Sequence, residues 1–212
     1  MDSHLLRFDK EKTFVFIDFE TENLCLNIRH NIPWQMAMLK AKGDEKFDER
    51  DILIEWDRKL NVSPEAAKIT RFNQDKYNKL KKPHDKVFKL MENWLEEADY
   101  IVGHNVLGFD IYLILEYYKK MGKDGSHLTD KVIDTYALAK AYKLGSEKPS
   151  GASLIEFQYQ LMSIRKRGLG GSLSAMGKDF EIEHDYSKLH DALVDLELNL
   201  KVWNKLKWVL NV

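Results

Sequence analysis

The chain has 212 residues, 44% hydrophobic and 32% charged, ordinary globular proportions that exclude disorder as its main state. Its 33 basic and 34 acidic residues leave a formal charge of -1, so no overall field draws it to a polyanion and any such attraction must be local. The single cysteine, Cys25, excludes an intrachain disulfide, the N-terminus lacks a signal-peptide pattern, and no uncharged run approaches the roughly 18 residues of a membrane helix; a soluble, cytoplasmic protein without membrane contact is expected.

No proline- or glycine-rich linker and no internal repeat interrupts the sequence, so residues 1–212 read as one domain. Thr13-Phe14-Val15-Phe16-Ile17-Asp18 predicts a strand buried on both faces at the centre of a sheet. Residues 34–42 and 47–56 predict an antiparallel hairpin beside it, turning at Lys42-Gly43-Asp44-Glu45. Ser63-Pro64-Glu65 opens a helix with an N-cap serine and a first-turn proline, and residues 84–97 place Val87, Leu90, Met91, Trp94 and Leu95 on one helical face. A fourth strand is expected at 99–104, a helix at 108–121, a short fifth strand at 131–134, a flexible loop at 144–152, and helices over most of 153–209. Strands followed by strand–helix alternation imply an α/β fold with a mixed five-stranded sheet flanked by helices.

Carboxylates set against apolar runs at strand ends need explaining, because an unpaired charge beside a core is costly unless it meets a cation. Asp18 and Glu20 lie two apart on the central strand, so the pleat points both to one side. Taken alone the pair reads by default as a solvated strand end. Asp110 follows a strand and a turn at Gly108, where α/β sheets place ligands, although a helix N-terminus also favours an aspartate. Asp195 lies near, but off, the Leu189, Leu193, Leu196 and Leu200 stripe of the last helix, and His190 can share a site with it only from at or before the helix start. Between 161 and 178, Arg165, Lys166, Arg167 and Lys178 occur with glycines and without an acid, a composition suited to phosphate or to a solvated surface loop.

Asp18-x-Glu20, Gly103-His104-Asn105 through Phe109-Asp110, and His190-x-Ala192-x-x-Asp195, in that order, resemble the three motifs of the DnaQ-like 3′–5′ exonucleases of the histidine type. The resemblance spans roughly residues 12–200, and Asp18-Phe19-Glu20-Thr21-Glu22-Asn23-Leu24 and Ser63-Pro64-Glu65-Ala66-Ala67-Lys68-Ile69-Thr70 extend it beyond the acids. Three departures touch the scaffold. Asn23 stands where the family usually has glycine, and asparagine accepts left-handed angles; Arg71 replaces the glycine often found after Ile-Thr; Met36-Ala37-Met38 lacks a common glycine. Residues 27–33 and 144–171 are not matched, and by the resemblance they flank the places where such enzymes admit substrate.

The resemblance implies a ribonuclease H-like fold and two divalent cations, Mg2+ with Mn2+ as a substitute, held by Asp18, Glu20, Asp110 and Asp195. His190 would be the general base for the attacking water. Thr21 and Leu24 would face the terminal nucleotide, Asn105 and Phe109 the scissile phosphate and sugar, and Arg165 and Arg167 would guide the strand; Leu24 and Phe109 fit a core equally well. DNA is the expected polymer, single-stranded or at a mispaired end, cut to nucleoside 5′-monophosphates, with RNA as the alternative. A polymerase or replication partner would act in trans. Two further readings are a catalytically silent nucleic-acid-binding scaffold and a structural calcium site; loss of an acid or of the histidine would mark the first, and neither has occurred.

Overall fold

The apolar run at the start of the chain forms the core of a longer strand, β1 (Thr13–Thr21), in which Phe14, Val15, Phe16 and Ile17 are all buried. The computed structural model describes residues 5–26, 31–189 and 191–212. β2 (Pro33–Lys42) runs antiparallel to β1, and β3 (Glu45–Glu55) antiparallel to β2 through the expected turn, where Gly43 takes φ 59° with Lys10 backbone 3.0 Å from where a Cβ would sit. β4 (Lys82–Pro83) pairs in parallel with the end of β3, while β5 (Tyr100–Gly103) and β6 (Val132–Asp134) extend the other side in parallel from β1. The order is β4-β3-β2-β1-β5-β6, a mixed sheet of six strands where five were expected. β4 is the addition: two residues carry no alternating signal, and proline, lacking an N–H, belongs at such an edge.

Helices cover both faces. On β1, Val15, Ile17 and Phe19 pack into one core with α3 (His84–Glu97) and α4 (Asp110–Lys120). Phe14 and Phe16 face the other core with α5 (Thr135–Leu144), α6 (Leu154–Ser163), α7 (Leu173–Asp179) and α8 (Ala192–Val209). By the period of two, Asp18 and Glu20 extend the Phe14–Phe16 row toward the α5–α8 layer.

Near the strand ends, α1 (Pro64–Ile69) starts as expected, with the Ser63 hydroxyl accepting the Ala66 N–H. α2 (Gln74–Leu80) and α5 are additional to the expected helices. α2 is short and polar and buries only Tyr77, leaving little periodicity to read. α5 follows β6 without a connecting residue, so its first turn merges with the strand signal. It ends at Leu144 on Gly145, left-handed at φ 63°, so the expected loop at 144–152 starts one residue later, and its remaining residues hold no helix or strand. Among the described residues no helix is long and apolar enough to cross a membrane.

Candidate active site

The C-terminal half of β1 delivers the first two carboxyls. Both keep some exposed surface, yet protein surrounds them closely enough that burial raises Asp18 to about 7 and Glu20 to about 8. Neighbouring charge is part of both rises: Asp195 raises Asp18, and Asp18 and then Asp195 raise Glu20. Asp110, the first residue of α4, is buried; burial and then Asp18 push its carboxyl well above the usual range, against the Phe19 N–H that it accepts at 3.2 Å. These four carboxyls, 177 positions apart in sequence at the extremes, therefore share one electrostatic neighbourhood at the C-terminal ends of β1 and β5.

A tightly packed turn leads to Asp110. Gly103 ends β5 where a Cβ would lie 2.7 Å from that of Val106, so a larger residue would displace the chain. Asn105 follows in the left-handed region at φ 69°, and Gly108 leaves room for the Asn105 side chain. Phe109, the residue before Asp110, is half-buried and packs against the α3–α4 core.

Between Glu20 and Thr21 the register shifts, and after Thr21 the chain leaves the sheet. Thr21 is buried, and its hydroxyl donates to the Asn23 carbonyl at 2.5 Å. Asn31 clamps the same loop, accepting from the Asn23 N–H and donating to the Asn23 and Cys25 carbonyls, each at 3.0 Å. Leu24 projects from this clamped loop with half its surface exposed, which excludes the core alternative for it. Asn23 does not use the left-handed freedom expected of it; the non-glycine residues with positive φ among those described are Arg71, Asn105, Glu181 and Asn211. The lost glycine with a backbone consequence is at Arg71, φ 54°.

Glu22 stands where the resemblance has a threonine, and no sequence signal marked it. Its carboxylate is 3% exposed, accepts two guanidinium bonds from Arg58 at 2.9 and 2.5 Å, and also accepts the Asn61 N–H, while the Glu22 carbonyl accepts the Ser63 N–H at 2.8 Å. The end of β1 is thereby tied to the N-cap of α1.

α8 starts at Ala192 with Asp191 as its N-cap, beyond position 190, and carries Asp195 in its first turn. His190 lies outside the described residues. Arg165 and Arg167 are exposed on the segment 164–171, whose end meets the Asp110 turn where the Gly171 backbone bonds to His104. A cleft of about 1480 Å³ lies behind the loop after β1, lined by residues such as Glu22, Trp56, Arg58, Tyr112 and Lys120, and it contains none of the four carboxyls.

Hard carboxylate oxygens that repel one another suit a divalent cation, and no basic side chain lowers the pKa of Asp18, Glu20 or Asp110 among the described residues. As the side chains stand, no three acidic, histidine or cysteine side chains among the described residues are close enough to hold one ion. The donor set fits a divalent cation in chemistry and sign.

A family model described as exonuclease, RNase_T, matches residues 15–203. No curated protein matches by sequence. Among solved structures, E. coli exonuclease I in complex with a dT13 oligonucleotide is 18% identical with a TM-score of 0.70, covering 93% of this chain and 41% of that one. The zinc-ion-bound form of the E. coli exonuclease I complex with single-stranded DNA is 18% identical with a TM-score of 0.72, covering 94% and 41%. A structure of SSB/exonuclease I with an inhibitor is 16% identical with a TM-score of 0.69, covering 94% and 44%. The chain spans about two fifths of the length of these relatives, and at such identity the likeness is one of fold.

Proposed function

Since the chain belongs to the exonuclease family RNase_T, we propose that residues 1–212 act as one 3′–5′ exonuclease domain that shortens DNA from its 3′ end and releases nucleoside 5′-monophosphates. The observation that carries this reading is the convergence of Asp18, Glu20, Asp110 and Asp195, drawn from three distant segments, on one strand-end site. Asp110 is buried and the other three are half-buried, and crowding carboxyls in this way would cost stability with no cation to offset it.

Asp18, Glu20, Asp110 and Asp195 would hold two divalent cations, Mg2+ or Mn2+ in its place, which when bound would neutralise charge on the phosphoryl group and activate the attacking water. His190 takes the proton from that water, a task suited to a side chain whose ordinary pKa is about 6.5. Thr21 and the exposed Leu24 meet the terminal nucleotide from the Asn31-clamped loop, which is held before substrate arrives. Asn105 and Phe109 flank Asp110 and border the scissile phosphate and sugar. Arg165 and Arg167, exposed on a basic segment, steer the incoming backbone through charge rather than base recognition. DNA is favoured by the oligonucleotide-bound relative of the same fold, exonuclease I with dT13.

The test is digestion of 5′-labelled single-stranded DNA and matched RNA with Mg2+, Mn2+ or EDTA, with Asp195→Ala alongside. The expected result is a cation-dependent ladder shortening from the 3′ end of DNA, absent in the variant. Shortening from the 5′ end, or equal activity in EDTA or in the variant, would overturn the reading; a ladder on RNA alone would move the substrate.

A further inference from the structure

The turn bearing Asp110 and the helix bearing Asp195 come from opposite sides of the sheet edge, and one dipeptide holds both. Asp134 ends β6 beside Gly103 of β5, completely buried, and its carboxylate accepts four backbone N–H groups. Oδ1 takes Asn105 at 3.0 Å, Tyr136 at 2.9 Å and Ala137 at 3.1 Å, and Oδ2 takes Leu107 at 2.9 Å. The last two Oδ1 bonds cap α5; the Asn105 and Leu107 bonds belong to the turn that ends at Asp110. Capping alone requires only the α5 N–H groups. The bonds to 105 and 107 add a function, holding a left-handed residue and the turn around it in one arrangement.

The next residue reaches the opposite way. The buried Thr135 hydroxyl lies 2.7 Å from Asn199 Oδ1 on α8, 3.2 Å from the Gly103 carbonyl and 3.0 Å from His104 Nδ1. Asn199 is one helical turn from Asp195. Gln158 completes the cluster, with its Oε1 accepting the Asp134 N–H at 2.5 Å and its Nε2 donating to the Val132 carbonyl at 3.0 Å. Fully satisfied buried polar clusters of this kind specify one arrangement of the elements they join.

We infer that Asp134 and Thr135 are positioning residues that set the placement of Asp110 relative to Asp195, and through it the affinity of the site for divalent cations. This rests on the reading that those two carboxyls hold the cations.

The test compares Asp134→Asn, Thr135→Val and Thr135→Ser with wild type, and with Asp110→Ala and Asp195→Ala as controls. Asp134→Asn turns one acceptor into an NH2 facing an N–H; Thr135→Val keeps the shape without the hydroxyl; Thr135→Ser restores it. Mn2+ is titrated calorimetrically into each folded protein without nucleic acid, well below its unfolding temperature, and kcat and KM are measured on single-stranded DNA. The expected result for Asp134→Asn and Thr135→Val is Mn2+ affinity and kcat each lower by about tenfold with KM within about twofold, Thr135→Ser staying near wild type. A purely structural role would lower Tm and leave Mn2+ affinity and kcat unchanged, and that outcome overturns the inference. If Asp134→Asn does not fold, Thr135→Val against Thr135→Ser decides. Wild-type Mn2+ binding in both alanine controls would instead remove the underlying reading.

Discussion

The Asp110 carboxyl accepts its hydrogen bond from the backbone N–H of Phe19, the residue between Asp18 and Glu20. The start of α4 is thus fastened to the strand that carries the other two acids. Because Phe19 turns its ring into the α3–α4 core while its neighbours face the other layer, packing on one side of the sheet holds the carboxyls on the other in register. A shift of β1 by one residue would bury both acids and break this bond.

In cation-free protein, the raised carboxyls should make stability depend on pH. Asp18 at about 7 and Glu20 at about 8 bind protons more tightly folded than unfolded. Their contribution is complete below about pH 4, the ordinary carboxyl value, and is lost as pH rises through 7 and 8. Asp18→Asn removes a group that suffers this loss, so its Tm in EDTA should exceed that of wild type at pH 8 and show no such gain at pH 4. Each kcal/mol gained corresponds to about 2–4 °C. Scanning calorimetry at both pH values checks this, and an equal difference at the two would contradict it.

His190→Ala should lower kcat by about 10² to 10⁴ and leave Mn2+ affinity unchanged, the share expected of a general base. Single-turnover hydrolysis together with calorimetry separates the two quantities. A normal rate would remove the base assignment.

Arg58→Met should destabilise the fold by about 1–3 kcal/mol, because it leaves the Glu22 carboxylate buried without its guanidinium partner. Glu22→Gln in the same background should recover part of the loss by removing the stranded charge. Urea unfolding of the two single variants and the double variant measures the coupling, and additive effects would show that the pair does not act as a unit.

Replacing Arg165 and Arg167 together by alanine should raise KM for single-stranded DNA at low salt with little change in kcat, and the difference should shrink as salt is added. Equal KM values at low salt would show that the segment lies away from the strand.

Much of this architecture was readable because local rules act over short stretches. The Phe14–Ile17 run marked the buried centre of the sheet, Ser63 and Pro64 marked the start of α1, and the 84–97 periodicity matched α3 at both ends. β4 was not, since two residues at an edge bear no pattern, and α5 was hidden by beginning where β6 stops. Asp134 could have been noticed as an N-cap ahead of Thr-Tyr-Ala-Leu-Ala-Lys, but its grip on residues 105 and 107 depends on β5 and β6 lying side by side.

The order and spacing of Asp18, Glu20, Asp110, His190 and Asp195 carried the family assignment from the chain alone, because residue types and intervals are properties of sequence. What only the folded chain decided is how the site is held: Asp110 on the Phe19 N–H, Glu22 on Arg58, and Thr135 on Asn199. Each of these joins residues 36 or more positions apart. Helical and strand periodicities report only neighbours along the chain, whereas such bonds exist only after the sheet order has brought distant segments to one edge.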